Sequence, residues 1–242
     1  MIPKIIHYCW FGGNPLPKLA KDCIKSWKKY FPEFEIMEWN ETNFNVNIIP
    51  YTEEAYKAKK YAFVSDYARF YILYHYGGLY FDTDVEVLRP MEHIIQNGPF
   101  MGCEFDAGVT KSGLREVAPG LGLGAERYMS LYKEILDFYS NLHFIDSTGA
   151  LNTITVVDYI TNLFREHGLV NNNLIVKCCD VHIYPTEYFC PVYGRNINFT
   201  KNTCTIHHYM ASWKRHSLRK KIVMLIQKII IRYYKLKLFS KL

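Results

Sequence analysis

No stretch of this chain reaches about 20 uninterrupted apolar residues, so the sequence offers no helix able to span a bilayer. Its seven cysteines form an odd set without Cys-x-x-Cys spacing, and Cys178 and Cys179 are adjacent. That pattern excludes a stapled mini-domain and a ribbon-type zinc site. No secretory h-region is present, which makes a reducing, cytoplasmic setting the expectation and marks the sequon at Asn198-Phe199-Thr200 as chance. Repeats and low-complexity stretches are also missing. Acidic residues are wholly absent from 214–242, where ten lysines and arginines stand. The whole-chain net charge is +6, so residues 1–213 carry 19 bases against 23 acids and net to −4. Bases confined to one tail argue against nucleic acid as a partner.

What is present describes a folded protein. Of its 242 residues 49% are hydrophobic and 16% aromatic, with 20 tyrosines, enough for one sizeable core and for stacking on sugars or bases. The segment richest in chemistry is Gly77-Gly78-Leu79-Tyr80-Phe81-Asp82-Thr83-Asp84-Val85-Glu86. Read as one strand over 79–87, it places Asp82 and Asp84 on the same side, able to share a hard cation. Mg²⁺ or Mn²⁺ held this way completes its shell with phosphate oxygens, which points to a diphosphate ligand. Before it, apolar residues 63, 67, 70, 71 and 74 predict a helix over 62–76, stopped by Gly77-Gly78. On that helix Asp66 and Arg69 are spaced to meet, as a ligand-facing pair or as an ordinary surface salt bridge.

The remaining pattern alternates. Strands are predicted at 4–11, 34–39, 98–104, 174–184 and 203–208, and helices at 17–30, 52–60, 126–140 and 150–167. This order predicts an α/β fold with a mainly parallel central sheet, whose ligands sit at the carboxyl ends of strands. Residues 10–13 and 82–86 both fall at such ends. There Gly12 and Gly13 would let backbone approach a ligand, and Trp10 would stack on a flat base or simply pack in the core. His7 reads as a structural histidine. The Gly-x-Gly-x-Gly run at 120–124 lacks the context of a phosphate loop and reads as a flexible loop or a tight sheet connection.

Ser65-Asp66-x-x-Arg69 followed by Gly77-Gly78-Leu79-Tyr80-Phe81-Asp82-Thr83-Asp84 resembles the sugar-binding region of glycosyltransferase family 32, related to large clostridial glucosylating toxins. Ile2-Pro3-Lys4-Ile5-Ile6-His7-Tyr8-Cys9-Trp10-Phe11-Gly12-Gly13 resembles that family's first strand and turn, and Ile206-His207-His208-Tyr209-Met210-Ala211-Ser212-Trp213 its closing segment. The resemblance implies a GT-A-type nucleotide-sugar-binding domain over 1–213. It also implies a retaining transferase that uses Mn²⁺ or Mg²⁺ and a nucleotide-sugar donor, with a UDP-sugar expected. Asp66 and Arg69 would grip the sugar, and Asp82 and Asp84 would serve the metal and donor. Trp10, Gly12, Gly13, Tyr80, Ser212 and Trp213 would contact substrate. His207 or His208 would join the metal, the choice between them being open. The family's apolar pocket segment would fall near 113–125, and Asp146–Ala150 resembles its Thr-Gly-Pro segment with Ala150 in place of proline.

Two rival readings stand beside this one. Phe81-Asp82-Thr83-Asp84-Val85 also resembles the nucleophile strand of haloacid-dehalogenase-like phosphatases, with Asp82 phosphorylated, although 81 residues precede Asp82. The other rival is a non-catalytic sugar-binding protein on the same fold. The basic tail 214–242 interleaves its charges with apolar residues at partly helical spacing. It is expected to be an amphipathic C-terminal helix lying on an anionic membrane surface, placing the enzyme peripherally at the inner face of the cell membrane near a glycan or lipid-linked acceptor. The alternative for the tail is a helix packed on the domain with its lysines solvated.

Overall fold

The computed structural model describes residues 1–194, 196–210, 229–234 and 236. The chain begins with β1 (Ile5–Cys9), α1 (Lys18–Tyr30), β2 (Glu35–Trp39), α2 (Pro50–Lys57) and α3 (Tyr61–Tyr76). Next come β3 (Gly78–Tyr80), β4 (Val85–Val87), α4 (Glu92–Gln96), β5 (Phe100–Phe105), β6 (Glu116–Val117) and β7 (Leu123–Ala125). It continues through α5 (Ser130–Ser140), α6 (Val156–Glu166), β8 (Val176–Cys178), β9 (Val181–Tyr184) and α7 (Thr186–Phe189). The last strands are β10 (Val192–Tyr193), β11 (Asn196–Ile197) and β12 (Thr205–His207).

An eight-stranded sheet in the order β2-β1-β3-β7-β5-β9-β8, with β6 beside β5, organises the molecule. Five of its strands (β1, β2, β3, β5, β9) run one way and β6, β7 and β8 oppose them, giving the expected α/β architecture with three antiparallel insertions. Alternation along β1 explains why both faces are covered. Ile6 and Tyr8 point into one apolar core with Trp27 and Phe81, while Cys9 points into the other with Tyr67 and Phe70.

α1 is amphipathic, burying Ala20, Cys23 and Trp27 at helical spacing, with Lys28 and Lys29 in its last turn where they complement the dipole. α3 departs from the single apolar face its periodicity predicts. Packed against α2, α5 and the sheet, it is buried on most sides, including Asp66 and Arg69. Gly77 ends it at φ 62°, a conformation that needs glycine.

Two predicted strands are broken. The segment 79–87 divides into β3 and β4, and β4 leaves the main sheet to pair with β12. The segment 174–184 is a hairpin, turning at Cys179 and Asp180 with φ of 50° and 61°. The helix expected over 150–167 starts only at Val156, because Thr155 and Asp158 form a reciprocal capping box.

His7 is structural, as expected. Its Nδ1 lies 3.1 Å from Trp39 Nε1, an indole N–H that can only donate, so Nδ1 accepts and Nε2–H donates to the Gly77 carbonyl at 2.9 Å. The ring is therefore neutral. Burial lowers its pKa from 6.5 to about 4, only partly offset by the Gly77 bond. Between those values the unfolded chain takes up a proton that the fold does not, so stability is lost as pH falls through this window. The loss is about 3 kcal/mol below pH 4. Thermal melts from pH 7 to 4 are expected to show this decline, with a shallower slope in His7→Gln; equal slopes would contradict it.

Candidate active site

A cleft of about 540 Å³ opens at the carboxyl ends of the adjacent parallel strands β1 and β3. This is where an α/β sheet presents its ligand site. From β1 and the loop after it come Cys9, Trp10, Phe11, Asn14 and Pro15; from α3, Tyr61, Ser65, Asp66 and Arg69; from the β3–β4 turn, Asp82, Thr83 and Asp84; and from the segment after β12, Tyr209 and Met210, beside His207.

Asp66 and Arg69 are not a surface salt bridge. They are 8% and 3% exposed, with Arg69 Nη2 donating to Asp66 Oδ1 at 2.7 Å and lying 3.3 Å from Asp82 Oδ1. Arg69 Nε donates to the Ser65 carbonyl, and the guanidinium lies over the Tyr80 ring at 5.0 Å. Burial opposes the Arg69 charge, and the surrounding groups, Asp82 first, more than restore it. Burial pushes Asp66 up to about 7 against the pull of Arg69. Among the described residues, buried Arg69 Nη1 has no hydrogen-bond partner, leaving one nitrogen of a charged fork for a ligand oxygen in the cleft.

Asp82 and Asp84 converge through a turn and not through an extended strand, which corrects the strand-based reason for their pairing. Val85 N–H donates to the Asp82 carbonyl at 3.0 Å, closing the turn. Tyr80 Oη donates to Asp82 Oδ1 at 3.2 Å. Asp84 Oδ1 lies 2.9 Å from His207 Nε2, and Asp84 Oδ2 accepts from Met210 N–H at 2.7 Å. Burial works against the Asp84 charge, but His207 and the Met210 bond override it and hold the carboxyl at about 2. His207 shifts the other way: burial disfavours its cation, and Asp84 beside it raises its pKa.

One ligand atom from each of Asp82, Asp84 and His207 falls within 4.8 Å of the others, so these three can share a metal ion. Two carboxylates and an imidazole suit Mn²⁺ better than an all-oxygen Mg²⁺ shell. The β12–β4 register separates the two adjacent histidines. His207 pairs with Val85 and reaches Asp84, whereas His208 Nε2 lies 3.0 Å from Glu86 Oε2, away from the cleft.

Other expected residues take other places. Trp10 lines the cleft, its indole donating to the Asn14 carbonyl. Gly12 and Gly13 do not line it. Gly12 N–H donates to Glu41 Oε1, and a Cβ there would meet the Tyr61 ring at 2.3 Å, so this glycine shapes the loop. Asp146–Ala150 is an exposed turn closed by the Asp146 carboxylate, outside the cleft. Ser212, Trp213 and most of 214–242 lie outside the described residues.

Several supports were not apparent from the sequence. Trp27, fully buried, donates from Nε1 to the Val85 carbonyl at 2.8 Å and pins the chain directly after Asp84. A buried tryptophan needing a partner for its N–H was the available signal. Tyr209, at φ 48°, packs on His207 with ring centroids 4.1 Å apart and bonds through its hydroxyl to Cys190 Sγ. The glycine run is a tight sheet connection and not a pocket wall: Gly120 accepts from Asp82 N–H at 3.2 Å and presses against its carboxylate.

Comparison with known proteins agrees with this geometry. Residues 17–101 match a family described as the glycosyltransferase sugar-binding region containing the DXD motif. Inositol phosphoceramide mannosyltransferase 1 of Schizosaccharomyces pombe is 27% identical over 111 residues, covering 41% of this chain and 33% of that protein. This chain thus spans about a third of the length of that relative. An uncharacterized glycosyltransferase of Acanthamoeba polyphaga mimivirus is 27% identical over 231 residues, covering 89% and 85% of the two chains. Among solved structures, the PaToxG glycosyltransferase is 18% identical with a TM-score of 0.45, covering 57% of this chain and 60% of that one. The match over 17–101 contains Asp66, Arg69, Asp82 and Asp84, so the region that carries these four side chains is similar to the sugar-binding region of DXD-containing glycosyltransferases.

Proposed function

We propose that the chain is a metal-dependent, GT-A-type retaining glycosyltransferase. In this reading it moves a hexose from a nucleotide sugar, a UDP-sugar first, to a polysaccharide or lipid-linked glycan at the inner face of the cell membrane. The observation that carries the reading is the meeting of Asp82, Asp84 and His207 beside the buried Asp66–Arg69 pair in one cleft. Relatives named as mannosyltransferases of a ceramide lipid add mannose to the sugars, and a lipid to the acceptors, that this cleft is proposed to serve.

The roles follow from the chemistry of each group. Asp82, Asp84 and His207 would hold Mn²⁺ or Mg²⁺, which when bound neutralises charge on the departing nucleoside diphosphate. Asp66 accepts from a sugar hydroxyl, and the unpartnered Arg69 Nη1 donates to a sugar or phosphate oxygen, orienting the anomeric carbon. Trp10 offers its face to the base. Among the described residues the cleft carboxylates are Asp66, Asp82 and Asp84, each already engaged by Arg69 or His207. A front-face substitution, in which the leaving phosphate assists deprotonation of the acceptor, therefore suits this site better than a covalent glycosyl-enzyme. Trapping a sugar adduct on one of these carboxylates would contradict that preference.

The test is a thermal-shift and hydrolysis screen of UDP- and GDP-sugars, mannosyl donors included, with and without Mn²⁺. Stabilisation and turnover of one donor only with metal supports the reading. Inertness toward every donor, with metal-dependent phosphate release from a simple phosphomonoester, would move the assignment to Asp82-phosphatase chemistry.

A further inference from the structure

The described part of the basic tail is a short helix with two apolar faces. Residues 229–234 and 236 are helical. At about 100° per residue, Ile231 and Tyr234 share one side, and Ile229, Tyr233 and Leu236 gather within about 60° on the other. The inner pair is seated on the domain. Ile231, 6% exposed, packs with Leu88, Val192 and Ile206, and Tyr234 stacks on Phe199 at 5.1 Å between centroids and 10° between planes. The outer three are 63%, 60% and 66% exposed, with Arg232 exposed beside them.

The inner side of this helix meets its need for burial, and among the described residues the three large apolar side chains on its outer side stay mostly exposed, Tyr233 touching only the edge of the Tyr234 ring. The surrounding sequence identifies their partner. Ten bases and no acid over 214–242 repel a second copy of the same segment and attract a surface dense in negative charge. We propose that Ile229, Tyr233 and Leu236 form the ridge that enters the headgroup region of an anionic phospholipid surface, while Ile231, against Ile206 of β12, and Tyr234, against Phe199, fasten that ridge to the domain. The proposal rests on the membrane-surface part of the proposed function and deepens it. Contact is made by a helix fixed to the catalytic domain and not by a loose basic tether.

That attachment has a structural consequence. Ile206 turns toward the helix from the strand on which the next residue, His207, turns to the opposite side, toward Asp84. The ridge and the metal cluster thus lie on opposite faces of the β4–β12 pair, and lipid on the ridge leaves the cleft free.

The test is co-sedimentation of the full chain with vesicles of phosphatidylglycerol and phosphatidylcholine, or of phosphatidylcholine alone. Wild type is compared with the single variant Tyr233→Ser and the triple variant Ile229→Ser/Tyr233→Ser/Leu236→Ser. Because these side chains are exposed, both variants should keep the wild-type melting temperature and Mn²⁺-dependent donor hydrolysis. Wild type is expected to partition onto anionic vesicles only, the single variant several-fold less and the triple variant at least roughly tenfold less. Wild-type binding with an unimpaired triple variant would overturn the ridge while leaving a charge-held membrane contact. Failure of wild type to bind anionic vesicles would overturn both. A lipid-free dimer that the triple variant dissolves would reassign the ridge to self-association and likewise overturn the proposal.

Discussion

Asp84→Asn is expected to lower metal-dependent donor turnover by about 10²–10³-fold and to abolish the thermal shift given by Mn²⁺. The shape of the side chain is kept, and its amide oxygen can still accept from Met210 N–H, so the β3–β4 turn has no reason to open. What disappears is the negative charge that His207 and the cation share. Asp84 also carries stability. Its carboxyl, near 2 in the fold against 3.8 unfolded, stabilises the protein above pH 3.8, a contribution lost as pH falls through 2. The asparagine variant should therefore melt lower at neutral pH by an equivalent of roughly 2 kcal/mol, and its deficit should vanish in strong acid. Turnover as a function of Mn²⁺, with melts at pH 7, separates the two effects. Unaltered metal-dependent turnover would remove Asp84 from the site.

Gly120→Ala is expected to cost about 10²-fold in turnover while leaving the fold nearly intact. A Cβ at this position would lie 2.1 Å from Asp82 Oδ2 and 3.3 Å from Arg69 Nη1. The carboxylate would have to swing off Arg69 and Tyr80, and so off the metal cluster. Gly120 is not in the left-handed backbone region, so alanine suffers a steric conflict with one side chain and not with its own backbone. Gly113→Ala is the matching control. Gly113 has φ 68° with nothing within 4 Å of the added carbon, so alanine there should cost about 1 kcal/mol of stability and leave turnover unchanged. Turnover, Mn²⁺ affinity and melting temperature of both variants decide the matter. Equal activity in the two would deny Gly120 its role behind Asp82.

Both predictions rest on features that differ in how legible they are. α3 was readable from its apolar spacing and Gly77, and the strand ends carrying Trp10 and Asp82 from the alternation of elements, because both signals are local. The burial of Asp66 and Arg69 was not, since it depends on α2 and α5 closing over a helix whose own periodicity shows only one apolar face. The turn at Asp82–Asp84 was hidden for a similar reason. Leu79 to Val87 reads as one run, and what divides it is the departure of β4 to pair with β12, about 120 residues later. The same pairing chooses His207 over His208, a choice no local pattern of two adjacent histidines contains. Gly120 looked like part of a glycine-rich loop, and only the packing of that loop under Asp82 shows why one of its glycines matters.

The central claim, that Asp82, Asp84 and His207 hold one divalent ion completed by a nucleoside diphosphate, is tested most directly by titrating Mn²⁺ into the protein and following free Mn²⁺ by electron paramagnetic resonance. The measurement is made with and without UDP and GDP, in wild type and in Asp84→Asn. One bound Mn²⁺ per chain, held more tightly with one of the nucleotides and lost in the variant, is the predicted result. Wild type that leaves Mn²⁺ free under all these conditions, or a variant that binds it as well as wild type, would contradict the account.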